Sequence, residues 1–443
     1  MQLVKSEPAL KDQDFLSSYR EYVSDTSVPK LFNEWAAIVA VSSTLSQQTW
    51  VDRGHYKVFP NLYIMLIGKP GSGKGTACNI LQGILQNANY QNFAPDRTTK
   101  EKFLVDLEEG FAASQEDVGD FGGSNFPTDD FFRDPSRSTP DERYCSDVLI
   151  LAEELSDFFG TDNLDFIAML TKLWSFTGAY RQRIKTGRSV KIQNPCINMF
   201  AATTHDSFQI TFPSRLLGTG FLARFILIYG TLSREEIAFP KSPSNEGRGT
   251  LGHQLKEIKN TVIGCIDIEN TERVALEEIL LLYTGPSDGR FENYKTRRFV
   301  QLLKISLCFC ASRLGDRLTL PDIINANTLL YVTEGEMGKA LGEFGKSRNS
   351  EIANKIMQHL YQATRPVSAT GLWMLVSSDL AKQTELVEIL NNLSSAQKIR
   401  FIPAAMGRAG GYLPNLKPVP KGIASGEAEK YLNKQYLNYL MEG

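Results

Sequence analysis

One stretch, NLYIMLIGKPGSGKGT (61–76), limits what this chain can become more than any other. Residues 61–68 form a continuous apolar run of strand length, the following residues are rich in glycine, and a helix is expected from about Lys74 to Leu85. A buried strand, a glycine loop and a helix, in that order, are what a phosphate-binding loop requires. Glycines let backbone N–H groups close around phosphate oxygens, the helix N-terminus adds positive potential, and Lys74 can reach the β- and γ-phosphates. Gly68, Pro70, Gly71, Ser72, Gly73, Lys74, Gly75 and Thr76 are therefore the expected nucleotide-binding residues. The strict motif places Ser or Thr directly after the lysine as a Mg2+ ligand. Gly75 holds that position here and Thr76 follows, so Thr76 is the candidate ligand and the effect of Gly75 on Mg2+ stays open.

The 443 residues amount to about three domain lengths, and 42% hydrophobic with 22% charged residues is the composition of a soluble globular protein. Lys plus Arg (48) nearly balance Asp plus Glu (50), for a net charge of −2. That excludes a polycation built to coat nucleic acid and confines any such surface to a local patch. The opening residues lack a basic start before an apolar run, and no run of ~18 apolar residues occurs, so export and membrane insertion are not expected and the cytoplasm is the expected compartment. The six cysteines (Cys78, Cys145, Cys196, Cys265, Cys308, Cys310) show no C-x-x-C spacing and read as reduced core thiols. The four histidines stand apart from one another, which argues against a His- or Cys-based metal site.

Further apolar runs mark the other strands. VLILAEEL (148–155) reads as a buried strand ending in acids, INMFAATT (197–204) and FILIYG (225–230) as two more, and 47–61 and 180–192 as hairpins. Residues 111–147 are rich in Gly, Asp, Ser and Pro without an apolar period, and are expected to form a long polar insertion. Helices dominate from about 250 to 342, with a start signal at Thr319-Leu320-Pro321-Asp322. Beyond Glu351 the order helix, helix, helix, IRFIPA (399–404), GYLP (411–414) is that of a winged helix. The expected class is α/β, a parallel-sheet core with a helical lid and a C-terminal winged helix. Its expected divisions are an N-terminal helical region (1–46), a core (47–234), a helical lid (235–345) and a winged-helix domain with tail (346–443).

ATP hydrolysis needs two acids at a strand end, one placing Mg2+ and one polarising the attacking water. Glu153 is the candidate for the first role, with Thr76, and Glu154 for the second. The strand 197–204 ends in Thr203 and Thr204; where an extra strand separates loop from acids, this end lies beside the γ-phosphate and a hydroxyl can orient water. Thr204 is the first choice there and Thr203 the reserve. Arg181, Arg183, Lys185, Arg188 and Lys191 stand on the second hairpin with no acid between them, suited to the phosphates of one nucleic-acid strand. Lys382, Lys398, Arg400 and Arg408 surround the expected recognition helix and wing, where contact with DNA and contact with protein stay equally open.

In their order, these segments resemble the AAA+ P-loop ATPase module, particularly hexameric replicative helicases of the minichromosome-maintenance and superfamily 3 kinds. They also resemble phage and prophage replication ATPases with a "PNLY…G" strand before the loop. The resemblance spans about residues 30–340. The loop spelling is also similar to that of adenylate kinases, but those carry a D-G-F-P-R segment that this chain lacks. The AAA+ resemblance implies that Arg224, in Leu222-Ala223-Arg224-Phe225, reaches a neighbouring subunit's ATP, and that Arg298 or Arg297 at the head of the lid reaches the γ-phosphate. It further implies ATP and Mg2+ as cofactors, a homo-oligomeric ring, hexameric in the family's manner, single-stranded or forked DNA, and other replication proteins as partners. The function so implied is a replicative DNA helicase of a virus or mobile element. Two alternatives stand beside it: a helicase loader or origin-binding initiator acting as a nucleotide switch, and a nucleotide-binding scaffold with little hydrolysis.

Overall fold

The computed structural model describes residues 14–116, 146–160, 163–184, 187–212, 220–230, 245–283, 285–286, 288–342 and 352–441, the last with gaps at 354, 358, 361–362, 364, 381, 396–397, 404–409 and 416–428. The chain divides into two compact units, 1–342 with 428–443, and 343–427. The divisions expected at 46 and 234 do not separate compact units, and the expected tail after the winged helix belongs to the first unit.

The first half of the larger unit runs α1 (Phe15–Tyr22), α2 (Lys30–Leu45), β1 (Thr49–Asp52), β2 (Lys57–Val58), β3 (Tyr63–Gly68), α3 (Lys74–Asn87), α4 (Lys100–Glu116) and β4 (Asp147–Ala152). Then come α5 (Leu155–Phe159), α6 (Leu164–Leu173), β5 (Ala179–Arg183), β6 (Ser189–Gln193), β7 (Cys196–Thr203), α7 (His205–Thr211) and β8 (Phe225–Gly230). The remainder is α8 (Asn245–Thr261), β9 (Gly264–Cys265), α9 (Asn270–Leu282), α10 (Glu292–Lys295), α11 (Arg298–Ser312) and α12 (Leu320–Leu341), followed by the terminal helix Lys434–Met441.

Four strands pair in parallel in the order β4-β7-β3-β8. Every residue of β3 and β7 is buried because helices lie on both faces, which is why these strands read as unbroken apolar runs. Beyond β4 the sheet gains one more rung: Phe93 bridges Leu149, whose N–H donates to Asn92 O (2.8 Å). Helix α2 is integral to this core, buried at every position from 32 to 45, with Trp35 Nε1 donating to Thr333 Oγ1 of α12 (2.9 Å). The start expected at Thr319 is a reciprocal cap, Asp322 Oδ2 accepting from both the N–H and the hydroxyl of Thr319 (2.9 and 2.8 Å). The terminal helix is fastened by Tyr436, whose hydroxyl donates to Glu34 Oε2 (2.7 Å) while Arg20 Nε donates to Glu34 Oε1 (2.7 Å). The expected insertion overlaps the end of α4 at 111–116, and 117–145 lie outside the described residues. Of the described cysteines, Cys265 is exposed rather than in the core. No helix among the described residues is long and apolar enough to cross a membrane.

The smaller unit contains helices Ala369–Val376 and Gln383–Ser395 and an antiparallel pair, β10 (Ile399–Ile402) with β11 (Gly411–Pro414). Its core joins Ile352, Ile356 and Leu360, spaced as on one helix face, to Leu372, Leu390 and Ile399.

Candidate functional site

The carboxyl end of β3 delivers the glycine loop. At Gly68 a Cβ would lie 2.7 Å from Gly230 O and from Ser72 Oγ, so only glycine lets β3 and β8 run side by side into the turn. Gly71 and Gly73 both take φ +80°, where a side chain is strained, and Gly73 caps α3. Its other side is covered, since a Cβ there would meet Pro29 and Val28 at 3.3 Å. Pro70 is exposed and Ser72 buried. Lys74 folds back over the loop, its Nζ donating to Gly68 O and Lys69 O (2.8 Å each). Burial pushes the ammonium's pKa down, and the nearby Glu154 carboxylate partly offsets it.

The acids follow β4. Glu154 is half-buried and Glu153 exposed. Thr203, at the end of β7, donates its hydroxyl to Glu154 Oε1 (3.1 Å). Thr204 turns away: its Oγ1 accepts from Ser207 N (3.2 Å), capping α7. The expected order is thus reversed, with the reserve residue Thr203 holding the acid and Thr204 spent on a helix cap. A similar one-residue shift occurs in the loop. The position facing Glu153 is Gly75, whose Cβ would lie 3.0 Å from Glu153 Oε2, whereas Thr76 is exposed on the next face of α3. Among the described residues no cluster of three or more His, Cys, Asp or Glu could cage a metal. A Mg2+ ion needs no such cage, because it keeps several waters and takes one or two carboxylates plus phosphate oxygens, and Glu153 beside the loop fits that demand.

The arginines occupy the other end of the sheet. Gly230 sits opposite Gly68 and Phe225 opposite Tyr63, so Arg224, one residue before β8, lies ~16 Å or more below its own loop at ~3.3 Å per residue. Its guanidinium donates to Gly220 O and lies over the Trp174 ring, 5.6 Å from the centroid. Burial, then the charge of Arg297, pushes its pKa down. Helix α11 crosses this same end: Gln301 Nε2 donates to Arg224 O (2.9 Å) and Lys304 Nζ to Asn61 O, just before β3 (2.7 Å). Arg298 heads that helix, buried, with Nε donating to Glu334 Oε2 (2.9 Å) and a second nitrogen to Asn327 Oδ1 (3.0 Å). Arg298, which the resemblance would set at the γ-phosphate, is here a core ion pair on the helix that crosses the amino ends of these strands. Arg297 beside it is half-buried, near Arg224.

In the β5-β6 hairpin, Tyr180, Val190 and Ile192 turn inward, while Arg181, its cross-strand partner Lys191, and Arg183 are exposed on the other side. Arg188 is exposed too, but it pairs with Glu108 (2.7 Å) and Glu109 (3.4 Å) of α4. Sequence reading missed this pairing, since the acids lie some eighty positions earlier in the chain. Lys185 lies outside the described residues, as does Arg408. In the smaller unit Lys382, Lys398 and Arg400 are exposed, but the helix Gln383–Ser395 itself carries two acids, Glu385 and Glu388, and no Lys or Arg. No protein-family model matches the chain, and no curated protein matches it.

Proposed function

We propose that this protein is a ring-forming ATPase that translocates on DNA, an AAA+-type replicative helicase of a virus or mobile element. The observation that carries the reading is the meeting, at one end of a parallel sheet, of the Lys74 loop, the Glu153-Glu154 pair and Thr203, with β7 lying between loop strand and acid strand. Loop N–H groups and Lys74 would hold the triphosphate, Lys74 exchanging two backbone carbonyls for phosphate oxygens. Glu154, oriented by Thr203, would take the proton of the attacking water. Mg2+, when bound, would neutralise charge developing on the β- and γ-oxygens, and Glu153, beside the first turn of α3, would hold it. Arg224 is too far from its own loop to serve it, which suits an arginine acting on a neighbouring copy. The Arg181, Arg183 and Lys191 face supplies cations for one DNA strand.

The test is ATP hydrolysis by wild type, Lys74→Ala, Glu154→Gln and Arg224→Ala, with and without single-stranded DNA, alongside mass by light scattering. Expected are DNA-stimulated turnover and a ring in the wild type, loss of turnover in all three variants, and an intact ring in Arg224→Ala. Undiminished hydrolysis in Lys74→Ala overturns the ATPase reading; a monomer indifferent to DNA overturns the ring and the translocation. One observation favours a second reading, a loader or initiator switch: Arg188 is already neutralised by Glu108 and Glu109, which weakens the hairpin's grip. That switch would prefer duplex DNA and turn over slowly.

A further inference from the structure

Gly75 departs from the strict loop motif, and its backbone does not require glycine. Positive φ values occur at Gly71 and Gly73 but not at Gly75, and alanine is the better helix former at a position of α3 that glycine's backbone freedom does not serve. What sets the position apart is the space in front of it. A Cβ there would lie 3.0 Å from Glu153 Oε2, 3.5 Å from its Cδ and 3.9 Å from Oε1. The carboxylate of Glu153 fills the volume that a side chain at 75 would use. Glu153 therefore lies along the first turn of the helix rather than pointing away from it.

We propose that Gly75 and Glu153 are a size-matched pair in which the Glu153 carboxylate takes the place of the missing hydroxyl. Glu153 is then the direct protein ligand for the divalent cation that accompanies a nucleoside triphosphate in the 68–76 loop, a claim that rests on the nucleotide-site reading above. Glutamate exceeds aspartate by one carbon–carbon bond, about 1.5 Å. Shortening the acid by that bond opens room for the Cβ of a serine at 75, whose hydroxyl then reaches toward the place the longer carboxylate occupied. A side chain at 75 crowds the long acid, and a short acid opposite glycine falls short of the cation. A carboxylate also brings a full charge where a hydroxyl brings none, so Glu153 is the protein's contribution to a cation that phosphate oxygens and waters otherwise hold.

The experiment is calorimetric binding of AMP-PNP in excess Mg2+ and in EDTA, with Mn2+ paramagnetic resonance on the same samples. The proteins are wild type, Glu153→Asp, Gly75→Ser, the double variant and Glu153→Gln. The wild type should bind more tightly with Mg2+. Glu153→Asp, Gly75→Ser and Glu153→Gln should each lose about tenfold or more of that gain, with binding in EDTA retained as evidence of an intact fold, and the double variant should recover most of it. An equal Mg2+ gain in all five proteins overturns the pair while leaving the nucleotide site standing. Impaired single variants without recovery in the double overturn the size matching. Absence of AMP-PNP binding by the wild type overturns this inference and the nucleotide-site reading together.

Discussion

Lys304 offers a stability test whose sign and size follow from its surroundings. It is 2% exposed on α11, with Nζ donating to Asn61 O (2.7 Å) and Asn61 Oδ1 (2.6 Å) and lying 4.2 Å from the centroid of the Trp174 ring. Two acceptors match the two N–H groups of a neutral amine, and the charged neighbour is another cation, Arg224. Burial accordingly pushes the group down from 10.5 to about 7. Between those values the unfolded chain holds the proton more firmly than the folded one, so stability rises with pH across the window. Linkage puts the gain from pH 7 to about pH 9 at ~2 kcal/mol. Replacement Lys304→Met removes this gain and leaves Asn61 O short of a donor, a cost of about 1–3 kcal/mol that does not vary with pH. The assay is denaturant unfolding at the two pH values in a Trp373→Phe background, so that the remaining tryptophans, Trp35, Trp50 and Trp174, report on the larger unit alone. The wild type should gain ~2 kcal/mol more than Lys304→Met. Equal gains would mean that Lys304 stays an ammonium in the folded chain up to pH 9, and the reasoning from burial would fall.

Two further predictions concern the site. Thr203→Val should lower turnover about tenfold by freeing Glu154, whereas Thr204→Val should cost only about 1 kcal/mol of stability through the lost α7 cap; steady-state rates beside thermal melts separate the two, and the reverse pattern refutes the assignment. Glu108→Gln with Glu109→Gln should release Arg188 and tighten single-stranded DNA binding, steepening its salt dependence by about 0.7 per cation gained; an unchanged slope in a fluorescence titration would show that the hairpin does not face nucleic acid.

The sheet was legible because burial on both faces leaves a mark in sequence: 61–68, 197–204 and 225–230 each became a strand of the parallel sheet within a residue or two, and 148–155 became one that stops at Ala152, three residues short, before Leu155 starts α5. Thr319 likewise announced α12 through a local cap. What stayed hidden was long-range. Nothing in the run from 30 to 45 shows that α2 is sealed between the sheet and helices α3, α8 and α11, or that Glu34 waits for a tyrosine four hundred positions later. In the site, residue types were readable but facing was not. Adjacent positions on a strand or helix point in different directions, so Thr203 against Thr204, and Gly75 against Thr76, are decided by the neighbouring element and not by the motif.

The arginines carry that lesson to its sharpest case, because a family spelling can be present while the geometry denies the role. Arg298 begins a helix as the resemblance requires, yet α11 lies across the amino ends of β3 and β8, away from Lys74. Its guanidinium is committed to Glu334 and Asn327, and Tyr294 donates to the same carboxylate (3.0 Å). Burial dominates at Glu334 and pushes its pKa up, with Arg298 opposing, as expected of a pair whose desolvation nearly cancels its attraction. Arg298→Ala should therefore destabilise the fold by about 3–5 kcal/mol, since it strands a buried carboxylate, while Arg298→Met with Glu334→Leu should recover most of that loss. Denaturation midpoints measure both, and nucleotide hydrolysis per folded molecule should be unchanged in the double variant. A double variant that is stable but hydrolytically dead would return Arg298 to the active site, and with it a movement of α11 that reaches the far end of the sheet.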